Sequence, residues 1–576
     1  MMTQLGLCML LIELSLLLHT SCGADQVHPH IVIIVADDLG FNDVGFHGST
    51  QIPTPNIDAL AYSGVILNNY YVQPICTPSR SALLTGKHPI HTGLQHSTIG
   101  GPHPYGLAPT ETLLPKHLTS LGYINHHVGK WHLGFFKKTY TPTYRGFESH
   151  FGYWSGRIDY FDHTAFEQPG YWGYDMRRNM SLAEDCFGKY TTDLFTKEAV
   201  DIINNHNTSQ PLFLYLAHLA VHSGNPYAPL QAPENVVKKF NYIKDEHRRT
   251  FAGMLWKLDE SVGRVVEALD ARRMLYNSVI LFTTDNGGPA AGFNQNAASN
   301  WPLRGVKASV WEGGVRGAGL LWSPHIQNPG RVAHQMVHIT DWLPTLISAA
   351  GGNLSSLGSI DGIDLWKTLT QDLLSPRKEF LVNIDPVLNS AAIRIGDWKM
   401  IYNPQGFGHH WDGWFGPSGH NETAPETKLN VILKQVMKSR VARAVKAINP
   451  KAYENIKLLR KTAEVHCSPV PKNATASCNS SDSPCLFHIP SDPCEYTDLA
   501  ATHQSVMAIM KDRLNQYNAT AVPPRNKPWD PAANPKFWGY AWTNWKDFTS
   551  PITGDIGKNN VEMDSLGDIY HDRQHS

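Results

Sequence analysis

The stretch "HIVIIVADDLG" at residues 30–40 gives the clearest indication of the fold of this 576-residue chain. It is a short run of β-branched residues without polar alternation, and it ends abruptly in Asp37 and Asp38. Such a run is typical of a central strand in a parallel sheet, because that strand is buried on both faces. The two carboxylates then fall at the carboxyl end of the strand, where open α/β sheets bind their ligands.

Similar runs recur along the chain and alternate with helical patterns. The runs are "YINHHV" (123–128), "PLFLYLAH" (211–218) and "SVILFTTDNGG" (278–288). Between them lie "PNIDALAYSG", "LLPKHLTSLG" and "TFAGMLWKLDESVGRVVEALDARR", the last with apolar residues at helical spacing. This alternation predicts an α/β fold whose large domain has a mostly parallel central sheet flanked by helices.

The alternation of strand and helix patterns ends near residue 380. There "AAIRIGDWKMIYN" predicts an antiparallel hairpin, and "LNVILKQVMKSRVARAVKAI" predicts one basic amphipathic helix. We therefore expect a large domain at 24–378 and a smaller C-terminal α+β domain with an antiparallel sheet at 379–576. A basic helix face is usually solvated, and attraction to a sulfated polysaccharide is the alternative.

The first residues have the pattern of a secretory signal peptide. Residues 5–18, "LGLCMLLIELSLLL", form its apolar core, and small residues follow, so we expect cleavage near Gly23 and a peptide spanning 1–23. No later run is long and apolar enough to predict a stable membrane span. The net charge of −1 gives no field that would recruit nucleic acid.

Asparagine acceptors and cysteines agree with the secretory pathway, ending in a lysosome or outside the cell. Seven Asn-x-Ser/Thr sequences begin at Asn179, Asn207, Asn353, Asn421, Asn473, Asn479 and Asn518. Cys467, Cys478, Cys485 and Cys494 predict two disulfides, with three possible pairings. Cys76 and Cys186 either pair with each other or both stay outside any disulfide, and the sequence leaves this open.

Polar residues follow each predicted strand. They are Asp37 and Asp38 after the first run, Lys130 and His132 after the second, His222 after the third, and Asp285 and Asn286 after the fourth. The fold predicted above brings these loops to one edge of the sheet. Three carboxylates and an amide supply only hard oxygen ligands, so the sequence predicts a Ca²⁺ or Mg²⁺ site.

Cys76 lies in "CTPSRSALLTG", where Ser79 to Thr85 predict a helix. The cysteine would then lie at a helix N-terminus, where backbone N–H groups favour an anion. Arg80, about one turn further on, adds a fixed positive charge. The segment therefore predicts an oxyanion site beside the metal.

Two motifs resemble the sulfatase family of the alkaline-phosphatase-like superfamily. "CTPSR" followed by "LLTGKHPIHTG" resembles the first sulfatase signature, in which the cysteine of C-x-P-x-R is oxidised to formylglycine. "GYINHHVGKWHLG" is similar to the second signature. "NNYYVQPICTPSR", "NWPLRG" and "WEGGVRG" resemble arylsulfatases of the B, I and J type, and the resemblance covers residues 30 to about 375.

The resemblance implies a role for each site residue. Cys76, as formylglycine (3-oxoalanine), is the nucleophile in its hydrated form. One Ca²⁺ is held by Asp37, Asp38, Asp285 and Asn286, and it touches residue 76. Arg80 steadies the hydrate, His132 is the base, and Lys130, His222 and Lys307 bind the sulfate oxygens.

The chemistry of a sulfate ester suits these groups. Metal, lysines and arginine neutralise the sulfate oxygens so that one hydroxyl of a gem-diol can attack sulfur and expel the alcohol. A base then takes the proton of the other hydroxyl, and sulfate leaves by C–O cleavage. A serine could attack but could not eliminate in this way, which explains the use of a cysteine.

The resemblance thus implies a sulfuric ester hydrolase that acts on sulfated carbohydrate, with N-acetylgalactosamine 4-sulfate of glycosaminoglycans as the expected substrate. Its maturation would need the formylglycine-generating enzyme. Two alternatives are a metal-dependent phosphatase or phosphodiesterase of the same superfamily, and a catalytically silent secreted glycoprotein. Residues 155–190 and those after about 380 depart from the arylsulfatase B pattern and would shape substrate access.

Overall fold

The computed structural model describes residues 28–404, 409–420, 425, 427–475, 478 and 481–549. The predicted signal peptide and the acceptors Asn421 and Asn479 lie outside these residues. Within them, no helix combines the length and the apolar character that crossing a membrane requires.

The strands of the described chain fall into a large sheet, a smaller C-terminal sheet and two short pairs. In chain order they are β1 His30–Ala36, β2 Val65–Leu67, β3 Tyr70–Tyr71, β4 Ile124–Lys130, β5 Ser149–Tyr153, β6 Thr164–Gln168, β7 Tyr171–Tyr174, β8 Arg177–Arg178, β9 Ser181–Leu182, β10 Leu212–Ala217, β11 Ser278–Thr284, β12 Gly319–Trp322, β13 Arg331–Ala333, β14 Val337–His338, β15 Glu379–Asp385, β16 Ser390–Ile395, β17 Trp398–Tyr402 and β18 Cys485–His488.

The α-helices flank these sheets, and short 3₁₀ segments join several of the elements. In chain order the α-helices are α1 Pro55–Ser63, α2 Cys76–Thr85, α3 Pro89–Thr92, α4 Leu114–Thr119, α5 Thr191–Asn205, α6 Glu234–Val237, α7 Glu246–Ala271, α8 Glu312–Val315, α9 Trp342–Ala349, α10 Trp366–Gln371, α11 Leu429–Lys438, α12 Arg440–Ile448, α13 Ile456–Ala463 and α14 Gln504–Thr520.

The large sheet has the strand order β13-β2-β12-β11-β1-β10-β4-β5-β8-β9. Its central strands β11, β1, β10, β4 and β5 are mutually parallel, and β1 is buried along its whole length between β11 and β10. The register pairs Val35 with Ala217 and Ala36 with Thr284. Because these strands end side by side, the prediction of a mostly parallel sheet with aligned carboxyl ends is confirmed.

The smaller sheet joins β15, β16, β17 and β18 in antiparallel order, which confirms the predicted hairpin and α+β unit. Side chains alternate between its faces, as a strand period of two requires. Phe380 and Ile401 pack with Trp311 of the large domain, whereas Leu381 and Met400 face the methionines of α14. The small sheet is therefore an interlayer between α14 and the large domain.

The predicted single helix over residues 429–448 is wrong in one respect, because the segment forms two helices, α11 and α12. Ser439 separates them: its extended backbone ends α11, and its hydroxyl accepts a hydrogen bond of 3.0 Å from Ala442 N at the start of α12. An N-cap of this kind satisfies a backbone donor that the helix itself cannot. With α13, these helices pack on α1, α7 and neighbouring elements of the large domain.

The structure resolves the cysteine alternatives. Cys467 bonds to Cys494 and Cys478 to Cys485, one of the three pairings that the sequence allowed. Cys76 and Cys186 are both buried free thiols. The alternative in which they form a disulfide is therefore wrong.

A buried triad of charges joins the small antiparallel sheet to helix α8. Lys399 Nζ on β17 lies 2.9 Å from Glu312 Oε1 on α8 and 2.9 Å from Glu495 Oε1, which follows Cys494. All three side chains are fully buried. Burial raises the pKa of Glu495 to about 7, although Lys399 acts in the opposite direction. The lysine is thus the main counter-charge for two carboxylates that have no access to water.

We predict that Lys399→Met destabilises the protein by about 3–5 kcal/mol, because it leaves Glu312 and Glu495 buried without their cation. Urea unfolding followed by tryptophan fluorescence measures the change, with Lys116→Met on the exposed surface of α4 as the control. A loss below about 1 kcal/mol, the range of surface ion pairs, would show that the triad does not hold the small sheet to α8.

Candidate active site

The carboxyl ends of the parallel strands bring the predicted polar residues to one place. Asp37 and Asp38 follow β1, and Asp285 and Asn286 follow its neighbour β11. His222 lies after β10, on the other side of β1. Each of these side chains is buried, so the cluster forms the floor of a site rather than a solvated edge.

Three buried carboxylates face three buried cations, and each carboxylate has a different cation as its nearest partner. The pairs are Asp37 with Lys130 at 2.6 Å, Asp38 with Lys307 at 2.8 Å, and Asp285 with Arg80 at 2.8 Å. Taken in their ionised forms, these six side chains cancel in charge. A divalent cation added to them would make the site positive and thus attractive to an anion.

Arg80 links the carboxylates to each other. Its Nε and Nη2 donate to Asp285 Oδ2 at 3.0 and 2.8 Å, and its Nη2 lies 3.5 Å from Asp37. A third bond of 3.3 Å runs from Nη1 to the carbonyl oxygen of Lys130. Burial alone would raise the pKa of Asp285, but Arg80, followed by Lys130, holds it below its ordinary value.

Cys76 is the first residue of α2, which begins three residues earlier than the sequence predicts. The helix starts after the extended Ile75, so the free N–H groups of its first turn lie beside the thiol. The Sγ atom lies 3.7 Å from Asp37 Oδ1, and the residue is 1% exposed. Burial raises the pKa of the Cys76 thiol to about 12, although Lys130 and Lys307 act in the opposite direction. An unmodified Cys76 is therefore not activated as a thiolate by these protein charges.

The hydrogen bonds of His132 fix its tautomer. Its Nε2 lies 3.1 Å from the carbonyl oxygen of Ile99, which can only accept, so Nε2 carries the proton. The buried Nδ1 has no hydrogen-bond partner within the described part of the chain. Burial, followed by the charges of Lys130 and Arg80, lowers the pKa of His132 well below its ordinary value. The ring thus presents a buried, unprotonated nitrogen.

His222 has the opposite tautomer. Its Nδ1 donates to the carbonyl oxygen of Ser223 at 2.6 Å, which leaves Nε2 as an acceptor 3.5 Å from Asp38 Oδ2. Burial, followed by Lys307, lowers the pKa of His222 well below its ordinary value. Two acceptors therefore face each other, and a cation or a proton between them would remove the conflict.

Four buried side chains of the site could together hold a metal ion. Ligand atoms of Asp37, Asp38, Cys76 and His222 all lie within 4.8 Å of one another. Asn286 donates from Nδ2 to Asp38 Oδ1 at 2.7 Å, while its buried Oδ1 has no hydrogen-bond partner among the described residues. A buried amide oxygen without a partner is costly, and a cation at the carboxylates would satisfy it.

Nine of the ten predicted site residues form one network of direct contacts. Its members are Asp37, Asp38, Cys76, Arg80, Lys130, His222, Asp285, Asn286 and Lys307. His132 lies beside this network and not within it: its carbonyl oxygen accepts from Thr77 Oγ1 at 3.1 Å. Since Thr77 follows Cys76, this bond attaches the histidine to the first turn of α2.

Three other histidines serve different partners. His218 Nε2 lies 3.0 Å from Ser261 Oγ in the core. His91 pairs with Asp361 at 2.8 Å, and His96 pairs with Asp385 at 2.9 Å. Neither of these carboxylates belongs to the site network.

The sequence did not predict that Tyr153 lies beside Lys130 or that Gly156 lies against the ring of His132. Tyr153 pairs with Lys130 in the β4–β5 register, and its buried hydroxyl has no hydrogen-bond partner among the described residues. A Cβ atom at Gly156 would lie 2.7 Å from His132 Nε2, so a larger residue there would displace the ring. The only signal for β5 is the weakly apolar "SHFGY".

Comparisons with known proteins agree on one family. The family model described as Sulfatase matches residues 29–352. Arylsulfatase J of Mus musculus is 40% identical over 532 residues, covering 91% of this chain and 81% of the relative. N-acetylgalactosamine-6-sulfatase of Homo sapiens is 31% identical over 397 residues, covering 66% of this chain and 72% of the relative. The crystal structure of Ps i-CgsB in complex with k-i-k-neocarrahexaose aligns with a TM-score of 0.65 and 26% identity, covering 86% of this chain and 94% of that one.

We predict that the chain binds about one Ca²⁺, and that Asn286→Ala weakens this binding by at least about tenfold by removing an oxygen ligand. Isothermal titration of EGTA-treated protein measures the affinity. The matched control is Asn296→Ala, because Asn296 is also buried but bonds to the Val221 carbonyl and to Ser223. A wild-type chain that shows no saturable Ca²⁺ binding would contradict the assignment.

Proposed function

The chain belongs to the sulfatase family of sulfuric ester hydrolases, and on that premise we propose that it cleaves sulfate esters of a carbohydrate with a formylglycine made from Cys76 and a bound Ca²⁺. The observation that carries this proposal is the position of Cys76. It is a buried free thiol at a helix N-terminus, in contact with Asp37 and close to the ammonium groups of Lys130 and Lys307.

The thiol itself is a poor nucleophile in this place, since burial keeps it protonated. In its hydrated form, formylglycine would supply one hydroxyl to attack sulfur and a second hydroxyl whose deprotonation allows sulfate to leave. The short contact to Asp37 and the free N–H groups of α2 are suited to orienting such a hydrate. The formylglycine-generating enzyme would act on the chain before this site closes.

The proposed Ca²⁺ ligands are the side chains of Asp37, Asp38, Asp285 and Asn286, together with residue 76. When bound, Ca²⁺ would neutralise negative charge on the sulfate oxygens as a Lewis acid. Arg80 keeps Asp285 ionised and in place through its two bonds to Oδ2. Its own charge thereby adds to the positive field around residue 76.

Lys130 and Lys307 are the proposed sulfate ligands. Their ammonium groups now contact Asp37 and Asp38, and each would turn to a sulfate oxygen once these carboxylates are shared with a cation. Both stems are buried, so the amines reach the site already ordered. This order lowers the entropy lost when they hold the ester.

The two histidines have tautomers that suit different proton tasks. Nδ1 of His132 is unprotonated and buried, so we assign to it the proton that leaves the hydrate. His222 can donate to sulfate from Nε2 only as an imidazolium, because its Nδ1 proton is committed to Ser223. A negative ester beside this ring would raise the pKa of His222 and favour the charged form.

For the substrate we propose N-acetylgalactosamine 4-sulfate at the ends of glycosaminoglycans, in the lysosome or outside the cell. The relatives act on sulfate esters by name, and one of them, an N-acetylgalactosamine-6-sulfatase, supports the choice of sugar. The 4-position rests on the resemblance of "NWPLRG" and "WEGGVRG" to arylsulfatases of the B type. The described Asn-x-Ser/Thr acceptors are all exposed, as glycosylation in the secretory pathway requires; they are Asn179, Asn207, Asn353, Asn473 and Asn518.

We predict that protein secreted from animal cells carries formylglycine at position 76, so that its tryptic peptide lacks the sulfur and two hydrogens of cysteine and contains one more oxygen. Mass spectrometry of that peptide tests this directly. Cys76→Ala should lower kcat for 4-methylumbelliferyl sulfate by at least about 10⁴-fold, as loss of a covalent nucleophile does.

Cys186→Ala is the matched control, since Cys186 is the other buried free thiol among the described residues and lies outside the network of site contacts. It should keep both the modification and the rate. An intact thiol at position 76 in active protein would refute the mechanism. Hydrolysis of a phosphate ester in preference to the sulfate ester would favour the phosphatase alternative. An unmodified chain without turnover would favour the silent glycoprotein.

For the substrate, we predict that defined disaccharides ending in N-acetylgalactosamine 4-sulfate have a kcat/KM at least about tenfold above the 6-sulfated isomers, a difference of about 1.4 kcal/mol in transition-state binding. The rate of free sulfate release, at acidic and at neutral pH, measures kcat/KM for both isomers. A preference for the 6-sulfate would overturn the assigned position and leave the sulfatase chemistry intact.

A further inference from the structure

The helices α11, α12 and α13 carry a concentration of positive charge that the sulfatase site does not use. Residues 428–461 contain ten lysines and arginines and a single acidic residue, Glu454, in a chain whose net charge is −1. Ordinary solvated surfaces mix both signs of charge. The segment therefore stands apart from the rest of the molecule electrostatically.

The positive side chains share the outer side of these helices. Their apolar residues, such as Val436, Val441 and Leu459, are buried in the core that includes α1 and α7. The exposed basic residues form what we call the basic surface: Lys428, Lys434, Lys438, Arg443, Lys451, Lys457 and Lys461. Packing the apolar stripe inward thus forces the cations outward together.

The basic surface repels itself. Lys434 and Lys438 are four residues apart on α11, and Lys457 and Lys461 are four apart on α13, the spacing at which like charges destabilise a helix. Glu267 on α7 pairs with Arg440 and lies 3.7 Å from Arg443. No ion pair reaches the six lysines of the basic surface within the described residues. A polyanion laid across them would relieve this repulsion.

The chain connects this surface to the wall of the active site. Gly413 accepts a hydrogen bond of 2.9 Å from the backbone of Gly305, in the same loop as Lys307. The chain then runs on to Thr427, whose backbone N–H donates to Thr50 at 3.1 Å, and the basic surface begins at the next residue. Backbone hydrogen bonds thus attach the segment that precedes the basic surface to the loop of Lys307 and to Thr50.

We propose that the basic surface binds a sulfated polysaccharide chain at a distance from the ester being cleaved, and so holds polymeric substrate on the enzyme. The proposal rests on the proposed function for its choice of polyanion, since a sulfated polymer carries the same charges that the active site recognises. Nucleic acid fits less well, because the basic surface includes no aromatic side chain on which bases could stack. Leu458 and Val431 are also exposed on these helices, so an anionic membrane is the competing partner that the test must separate.

The test compares two fourfold variants of the full secreted protein. In the first, Lys434, Lys438, Lys457 and Lys461 are changed to Glu; in the control, the exposed Lys116, Lys137, Lys367 and Lys536 are changed to Glu, with the same change in net charge. Binding to immobilised chondroitin 4-sulfate, to chemically desulfated chondroitin and to phosphatidylserine vesicles is measured by biosensor at 150 mM salt. Turnover of 4-methylumbelliferyl sulfate and of polymeric chondroitin 4-sulfate is measured in parallel.

We expect the first variant to lose at least about tenfold in affinity for chondroitin 4-sulfate, with a shallower salt dependence, and the control to lose about twofold or less. KM for the polymer should rise in the first variant alone, while kcat for the small ester stays unchanged in both. Equal losses in the two variants, or tighter binding to vesicles than to the polymer, would overturn the proposal. A wild-type chain that binds the polymer but hydrolyses no sulfate ester would refute the proposed function and leave this surface standing.

Discussion

The structure depends on one electrostatic constraint: three carboxylates and three cations are buried together at the carboxyl ends of the parallel strands. Burying an ion costs several kcal/mol, and a counter-ion offsets this cost only when the geometry is good. The order β11-β1-β10-β4 supplies that geometry, because β1 ends between β11, which precedes Asp285, and the pair β10 and β4, which lead to His222 and Lys130. The pairs are therefore better understood as a preorganised field than as a source of stability.

The same buried surroundings bear on the protonation of Cys76 and of the two histidines beside the ion pairs. Asp37 and the buried surroundings keep the Cys76 thiol protonated, so sulfur chemistry gains nothing there. Two backbone carbonyls, of Ile99 and Ser223, then set the tautomers of His132 and His222 in opposite senses. The backbone of each loop thus sets which ring nitrogen carries the proton.

Much of the fold and the site could be predicted from the sequence because the informative signals are local. An unbroken apolar run that ends in "ADD" or "TDNGG" identifies a buried strand and its polar end without any tertiary information. Tyr153 could not be found in this way, since β5 is short and weakly apolar. Only the pairing of β5 with β4 places Tyr153 beside Lys130. The sequence also did not predict the helix break at Ser439 or the triad around Lys399. A cap and a long-range ion pair depend on three-dimensional contacts that a local pattern does not contain.

We propose above that residue 76 carries a carbonyl-derived group, and that this group lies next to a cation held by the neighbouring carboxylates. A crystal structure of the mature secreted protein, with calcium identified by its anomalous scattering, tests this claim most directly. The electron density should show two oxygens and no sulfur on the residue 76 side chain, and one ion ligated by Asp37, Asp38, Asp285 and Asn286. A thiol at that position, with Lys130 and Lys307 still paired to Asp37 and Asp38 in the presence of calcium, would contradict it.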